Sequence, residues 1–121
     1  KARILCMSST YEGFGMVLTE AMQHKVVPIA FGSYKALHDI VEDKKNGFVI
    51  PPFDLSVYAS RLSLLMKDSR LWTRLAENAQ EKVLEFDIEK VGERWIDLFQ
   101  RISLSRKLDE YEKIVDNNSG L

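Results

Sequence analysis

Three short apolar segments, each separated from the next by a helical stretch, constrain the fold of this chain more than any other feature. They span residues 2–7 (ARILCM), 26–31 (VVPIAF) and 47–50 (GFVI). Nearly continuous apolar runs of this length are typical of strands that are buried on both faces. Because helical stretches lie between them, the order predicts parallel β-α-β units in an α/β fold.

The pattern becomes helical after residue 52 and stays so almost to the end. Asp54 is predicted to cap one helix, and further helices are predicted from Asp68 and after Asp87. Trp72 and Trp95 lie on the apolar stripes of the last two, which predicts that they pack against other helices. The fold class is therefore α/β, with a partial Rossmann-like parallel sheet of about three strands and a long helical C-terminal region.

Charge, cysteine content and length narrow the function classes. The 121 residues include 17 Lys and Arg against 18 Asp and Glu, so we expect no nucleic-acid partner. The single cysteine, Cys6, excludes an intramolecular disulfide and a Cys-cluster zinc site, and within its apolar run it is expected to be buried. Three strands are few for a doubly wound sheet, and the chain begins with Lys1 rather than Met, so we expect it to be part of a longer protein.

Residues 12–20 (EGFGMVLTE) join the first predicted strand to the first predicted helix. In open parallel sheets, ligands bind at this carboxyl edge of the strands. Gly13 and Gly15 allow close approach of the backbone and positive φ angles. The free N–H groups of the following helical turn favour an anion such as phosphate. The segment therefore predicts a backbone cradle for a diphosphate.

Two carboxylates, Glu12 and Glu20, flank this cradle at a spacing of eight positions. At about 100° per residue, the apolar face of the helix consists of Val17, Leu18, Ala21 and Met22, and Glu20 lies opposite it. Glu20 should therefore reach back toward the loop that holds Glu12. Carboxylates accept hydrogen bonds from paired hydroxyls, so the arrangement matches a nucleotide sugar. The spacing alone favours a simple turn into an amphipathic helix, with Glu12 and Glu20 as solvated charges.

The residues 12–15 (EGFG) and 19–22 (TEAM) resemble the E-x7-E signature of retaining GT-B glycosyltransferases, the "glycosyl transferases group 1" family. Residues 26–30 (VVPIA) and 46–54 (NGFVIPPFD) resemble later passages of the same family. The resemblance covers residues 2–102. It implies that residues 1–102 are the N-terminally truncated, donor-binding half of a GT-B enzyme. The residues that follow predict a charged helical or disordered tail at 103–121, and within it we expect 116–121 to be disordered.

The resemblance also implies roles for individual residues. Glu12 would be catalytic, supporting the reacting sugar, while Glu20 would bond the nucleotide ribose. The implied donor-binding residues are Glu12, Gly13, Phe14, Gly15, Met16, Val17, Leu18 and Glu20. Transfer would proceed from a UDP- or GDP-sugar with retention of configuration and without a metal ion or other cofactor.

The family further implies a hexosyl-type glycosyltransferase that serves bacterial lipopolysaccharide or surface polysaccharide biosynthesis. Its glycan or lipid-linked acceptor would bind an N-terminal domain outside this chain. We expect a cytoplasmic protein, with peripheral association at the inner face of the membrane. Because the acceptor domain and the cations for the diphosphate lie upstream in relatives, this chain alone should be inactive.

Other readings stay open. The chain could be a noncatalytic nucleotide-sugar or phosphate-binding α/β module, or an interaction domain whose helical end docks a partner. Many relatives have Gly where this chain has Lys25, and Gly-Gly where it has Gly32-Ser33, so the exit of the first helix is expected to differ. His38 and Asp39 are secondary candidates for a place near the donor.

Overall fold

A computed structural model describes residues 2–118 of the chain, with side chains through residue 107. The strands β1 (Ile4–Met7), β2 (Val27–Phe31) and β3 (Phe48–Ile50) form a parallel sheet in the order β1-β2-β3. The helices are α1 (Met16–Gln23), α2 (Leu37–Ile40), α3 (Leu55–Lys67), α4 (Ser69–Val83) and α5 (Ile88–Asn118), with a 3-10 turn at Leu84–Phe86. The predicted α/β class, parallel sheet and helical C-terminal region are confirmed.

Strand β2 lies at the centre and is buried along its whole length. Its alternating side chains divide the core into two layers. Ala30 packs with Leu18 and Met22 of α1, whereas Val27, Ile29 and Phe31 pack with residues of α3 and α4. Helices therefore cover both faces of the sheet, as a continuous apolar central strand requires.

Pro28 lies in this central strand although proline has no N–H for a ladder hydrogen bond. The pairing of β2 with β3 begins one residue later, where Ile29 is opposite Phe48. Gly47 precedes Phe48, and a Cβ on Gly47 would stand 2.7 Å from the Pro28 ring. The glycine thus makes room for the proline at the point where the two strands meet.

Strand β1 departs from the prediction of burial on both faces. Ile4 and Leu5 are half-buried, Cys6 is exposed and only Met7 is buried. The reason is position, because β1 is the edge strand of the described sheet and little covers its outer side. The expectation of a buried Cys6 is therefore wrong.

Local signals placed the helix ends correctly. Asp54 accepts a hydrogen bond from the Val57 N–H at 3.0 Å, and Asp68 accepts one from the Leu71 N–H at 2.9 Å. Both are side-chain caps at the first turn of a helix. The predicted cap of α3 at Asp54 and the predicted start of α4 at Asp68 are confirmed.

The exit of α1 takes an unusual residue. Lys25 has φ +58°, donates its N–H to the Met22 carbonyl at 3.0 Å, and is followed by Val26, which donates to the Ala21 carbonyl at 3.1 Å. This pair of bonds is a Schellman motif, in which the left-handed position is normally glycine. The helix therefore ends in the common way, with Lys25 occupying the glycine position.

The chain divides into two compact units, Lys1–Phe86 and Asp87–Leu121. Helix α5 belongs to the second and runs without a break across residue 102 and through residues 116–118, which were predicted to be disordered. Residues 119–121, also predicted to be disordered, lie outside the described residues. Trp95 was predicted to pack against another helix, yet it is 54% exposed.

Candidate functional site

The predicted cradle, residues 12–20, comprises the end of the β1–α1 loop (residues 8–15) and the start of α1, at the carboxyl edge of the parallel sheet. The β2–α2 loop, residues 32–36, lies beside it. The Ser33 hydroxyl donates a hydrogen bond to the Ser9 carbonyl oxygen at 3.2 Å. The carboxyl ends of two adjacent strands thus supply two touching loops, which is where open α/β sheets bind ligands.

Gly15 forms the junction between the β1–α1 loop and α1. It has φ +81° and ψ 49°, a left-handed conformation, and no side chain caps the helix. The Leu18 N–H donates to the Gly15 carbonyl at 2.9 Å. The N–H groups of Met16 and Val17 are in the first turn, where a helix offers no carbonyl partner. Together with the positive end of the helix dipole, they can bind an anion.

The two carboxylates flank this helix start in different environments. Glu12 is half-buried in the loop, whereas Glu20 is exposed on α1. The exposure of Glu20 agrees with the helical-wheel argument, since Leu18 and Met22 on the opposite side are fully buried. A half-buried carboxylate next to free N–H groups can bind a sugar hydroxyl or stabilise a developing positive charge.

The side chains of the other predicted donor-binding residues differ in exposure. Phe14, Met16 and Val17 are exposed by 40%, 67% and 46%, so Val17 does not share the buried face on which the helical wheel placed it. Leu18 is fully buried, so its side chain supports the helix from below. The Phe14 ring packs edge-on against Phe86, with ring centroids 5.5 Å apart.

Sequence reasoning missed Tyr34, which lies beneath the site. Tyr34 is buried, and its hydroxyl donates to the Met7 sulfur at 3.6 Å. Burial raises the Tyr34 pKa above its ordinary value of 10.0, and the negative charge of Glu12 raises it further. The departure from the family at Gly32-Ser33 was the one available signal that this loop differs.

The secondary candidates lie on the helix that follows the β2–α2 loop. His38 and Asp39 are exposed on the short helix α2. The His38 Nε2 atom lies 3.9 Å from the position that a Cβ on Gly32 would take. Among the residues that the structure describes, no group of three or more His, Cys, Asp and Glu side chains is arranged to hold a metal ion.

Comparisons with known proteins identify the family of the chain. The family model for "Glycosyl transferases group 1" matches residues 1–82. A GalNAc-α-(1→4)-GalNAc-α-(1→3)-diNAcBac-PP-undecaprenol α-1,4-N-acetyl-D-galactosaminyltransferase from Campylobacter jejuni is 28% identical over 102 residues, covering 84% of this chain and 28% of the relative. Its name describes a lipid-linked glycan acceptor.

Solved structures show the same fold. The C-terminal domain of a glycosyl transferase group 1 family protein (LpcC) from Francisella tularensis has a TM-score of 0.64 and 32% identity, covering 71% of this chain and 44% of that one. A mutant of TarM from S. aureus, in complex with fondaparinux, α-GlcNAc-glycerol and UDP, has a TM-score of 0.74 and 30% identity, covering 80% of this chain and 20% of that one.

The chain spans only about a quarter of the length of the curated relatives it matches, from 20% to 28% among the first four. Within the part of the chain that the structure describes, no helix has both the length and the apolar character needed to cross a membrane. The family match covers well over half of the chain and includes both loops of the site. The chain therefore belongs to the group 1 glycosyltransferases.

Proposed function

We propose that this chain is the donor-binding part of a retaining glycosyltransferase that uses a nucleotide-diphosphate sugar. The observation that carries the proposal is the junction at Gly15. There a left-handed glycine opens a helix with no side-chain cap, directly after the half-buried Glu12. Such a junction offers N–H groups to phosphate and a carboxylate to the adjoining sugar.

Six of the eight predicted donor-binding residues have a role in this proposal. The N–H groups of Met16 and Val17 hold the diphosphate, while Gly13 and Gly15 let the donor approach the backbone. Glu20 accepts hydrogen bonds from the ribose hydroxyls. Backbone amides and the helix dipole can bind part of the diphosphate charge, and the family resemblance implies upstream cations that neutralise the rest, so we propose that transfer needs no metal ion.

Glu12 is the proposed catalytic residue. As the nucleoside diphosphate departs, positive charge develops at the anomeric carbon of the sugar, and the Glu12 carboxylate stabilises it electrostatically. The acceptor hydroxyl attacks from the face that the leaving group vacates and gives its proton to the departing phosphate oxygen, which retains the configuration. Removal of one preorganised electrostatic group commonly lowers kcat by about 100- to 1,000-fold.

The donor, acceptor and pathway are narrowed by analogy with the relatives. UDP in the TarM complex supports a UDP-sugar over a GDP-sugar. The acceptor of the Campylobacter relative supports a lipid-linked or glycan acceptor, and hence hexosyl transfer in lipopolysaccharide or surface polysaccharide biosynthesis. We place the full-length enzyme in the cytoplasm, peripherally at the membrane where lipid-linked acceptors lie, and expect this chain alone to be inactive.

Titration of the chain with UDP and with GDP, monitored by the backbone amide resonances of residues 13–18, tests the site. UDP should shift those resonances, and shifts confined to other segments would overturn the site assignment. Glu20→Ala should weaken binding about 10- to 100-fold, since a hydrogen bond to a charged group contributes about 1.5–3 kcal/mol. Glu77→Ala, an exposed carboxylate on α4, is the matched control and should bind UDP normally.

Activity is tested in the full-length protein. Glu12→Gln should lower kcat by about 100-fold or more while UDP affinity changes little. Normal UDP binding without transfer to any glycan or lipid-linked acceptor would favour the noncatalytic binding module instead.

A further inference from the structure

The β2–α2 loop holds the neighbouring β1–α1 loop at both ends. Near the start, the Ser33 hydroxyl donates to the Ser9 carbonyl oxygen at 3.2 Å. At the other end of the loop, the Tyr34 hydroxyl lies beneath Gly15. The same hydroxyl donates to the sulfur of Met7, the last residue of β1, at 3.6 Å. Glu12 lies between the two points of contact. A loop that follows a different strand therefore fixes the segment that carries the proposed catalytic carboxylate.

Tyr34 and Gly15 fit each other closely. A Cβ added to Gly15 would stand 3.0 Å from the Tyr34 hydroxyl oxygen and 3.3 Å from Cδ1 of Leu18. The hydroxyl oxygen therefore fills the space that a side chain at position 15 would occupy. Two separate constraints require glycine there, namely the φ angle of +81° and the nearby Tyr34 oxygen.

The Tyr34 hydroxyl is also kept neutral. Tyr34 is 7% exposed, and both this burial and the nearby Glu12 carboxylate disfavour the phenolate. A neutral phenol adds no negative charge beneath a site that is proposed to bind a diphosphate. Tyr34 can therefore lie beneath the helix start without repelling an anion that is bound there.

We propose that Tyr34 is a positioning residue, which holds the Gly15 turn and thereby aligns the Glu12 carboxylate and the first-turn N–H groups of α1 for the donor. This role rests on the proposed donor site. Tyr34 is buried beneath the loop, so it acts through Gly15 rather than by touching the donor. Because displacement of a reacting group by about 1 Å can cost about 100-fold in rate, a small shift of this turn matters.

Tyr34→Phe in the full-length protein is the primary test, because it keeps the ring and removes only the oxygen. The hydroxyl donates only to a thioether, a weak acceptor, so the unfolding midpoint should change little. The dissociation constant for UDP should rise about five- to tenfold, and the KM for the sugar donor should rise with it. Equal UDP affinity in Tyr34→Phe and the unmodified protein would overturn the positioning role.

Tyr58→Phe is the matched control. Tyr58, on α3, also has a partly buried hydroxyl, which donates to the Ile29 carbonyl at 3.0 Å and to the Met7 carbonyl at 3.5 Å. Its ring packs against Phe31 rather than beneath Gly15. Its loss should lower stability and leave UDP affinity unchanged. If both variants weaken UDP binding equally, the effect is a general loss of packing and the specific role of Tyr34 is refuted.

A double variant tests the contact itself. Gly15→Ala places a methyl group against the Tyr34 oxygen and should weaken UDP binding strongly. In that background Tyr34→Phe removes the clash, so the double variant should bind UDP more tightly than Gly15→Ala alone. Tyr34→Phe would then weaken UDP binding by the unmodified protein and strengthen UDP binding by the Gly15→Ala protein. Additive losses would overturn the proposal.

UDP binding by the unmodified protein distinguishes failure of this inference from failure of the proposed function. If the unmodified protein binds neither UDP nor GDP, the donor site is wrong and the role of Tyr34 falls with it. If the unmodified protein binds UDP and Tyr34→Phe binds equally well, the donor site stands and only the positioning role is overturned.

Discussion

Replacing Gly47 by alanine should destabilise the first unit by about 3 kcal/mol. An added Cβ would stand 2.7 Å from both Cγ and the carbonyl oxygen of Pro28, and 2.9 Å from Cγ1 of Val41. Carbon atoms pack best at about 3.5–4.0 Å, so the methyl group would overlap its neighbours by nearly 1 Å. Each of these contacts involves an atom of the core.

The magnitude follows from how little those neighbours can move. Pro28 has a rigid ring in the buried central strand, and Val41 is 1% exposed. Overpacking of a well-filled core costs about 1–3 kcal/mol, and three simultaneous overlaps place Gly47→Ala at the upper end. In a unit of this size 1 kcal/mol shifts the unfolding midpoint by about 4–8 °C, so we expect a loss of about 12–24 °C.

Urea and thermal unfolding, followed by circular dichroism, measure the effect. The urea midpoint should fall while the m-value stays constant, because the same surface is exposed on unfolding. Gly13→Ala is the control, since no atom lies within 4 Å of its added Cβ and its stability should change by less than about 0.5 kcal/mol. A Gly47→Ala protein as stable as the Gly13→Ala protein would refute the packing argument.

Three further variants test single interactions. Lys25→Gly should stabilise the chain by about 0.5–1 kcal/mol by relieving the left-handed backbone at the end of α1, and a lower urea midpoint would contradict this. Burial, and then the neighbouring Cys6 side chain, raise the Tyr58 pKa, so stability should fall as pH rises above about 10. Tyr58→Phe should flatten that fall in urea midpoints between pH 9 and about 11.5, whereas Tyr11→Phe, at an exposed position, should not. Hydrogen bonds from the Val57 N–H and the Ser56 hydroxyl lower the Asp54 pKa below 3.8, so the stabilisation by the Asp54 cap should be lost on acidification. Asp54→Asn should remove that pH dependence from the unfolding curves, and an unchanged acid profile would contradict this role of Asp54.

Local sequence signals predicted the fold well because the relevant interactions are local. An Asp before an apolar helical pattern binds the N–H groups of the next turn, which fixes the starts of α3 and α4 at Asp54 and Asp68. The three apolar runs predicted the parallel sheet for a similar reason, since each run is bounded by polar or turn residues. Such features need no knowledge of distant contacts.

The exposure of residues on the edge strand and on α5 could not be predicted, because it depends on what lies beside each element. Cys6 lies in a continuous apolar run, yet it is exposed because β1 is the edge of the described sheet. Trp95 lies on an apolar stripe of α5 and is likewise exposed. A hydrophobic pattern specifies which face prefers burial, but the neighbours decide how much of it is covered.

The candidate site was predictable to the same limited extent. Glu12, Gly15 and Glu20 lie within nine residues, so their spacing and the direction of α1 sufficed to bring them to one helix start. Tyr34 is 19 positions from Gly15, and only the pairing of β1 with β2 brings the two together. No pattern within the motif indicates that contact, since it arises from the register of the sheet.

Substitutions in the site and in the core should therefore have different effects. Glu12 and Glu20 lie outside the core, so their substitution should change donor binding or catalysis with little effect on stability. Gly47 lies in the core, remote in sequence from the cradle, and should do the reverse. Gly15 belongs to both groups, because its backbone shapes the site while its missing side chain accommodates the buried Tyr34 hydroxyl. The site is thus linked to the core at this turn, and a variant at Gly15 that lost stability without losing donor affinity would show that the two are independent.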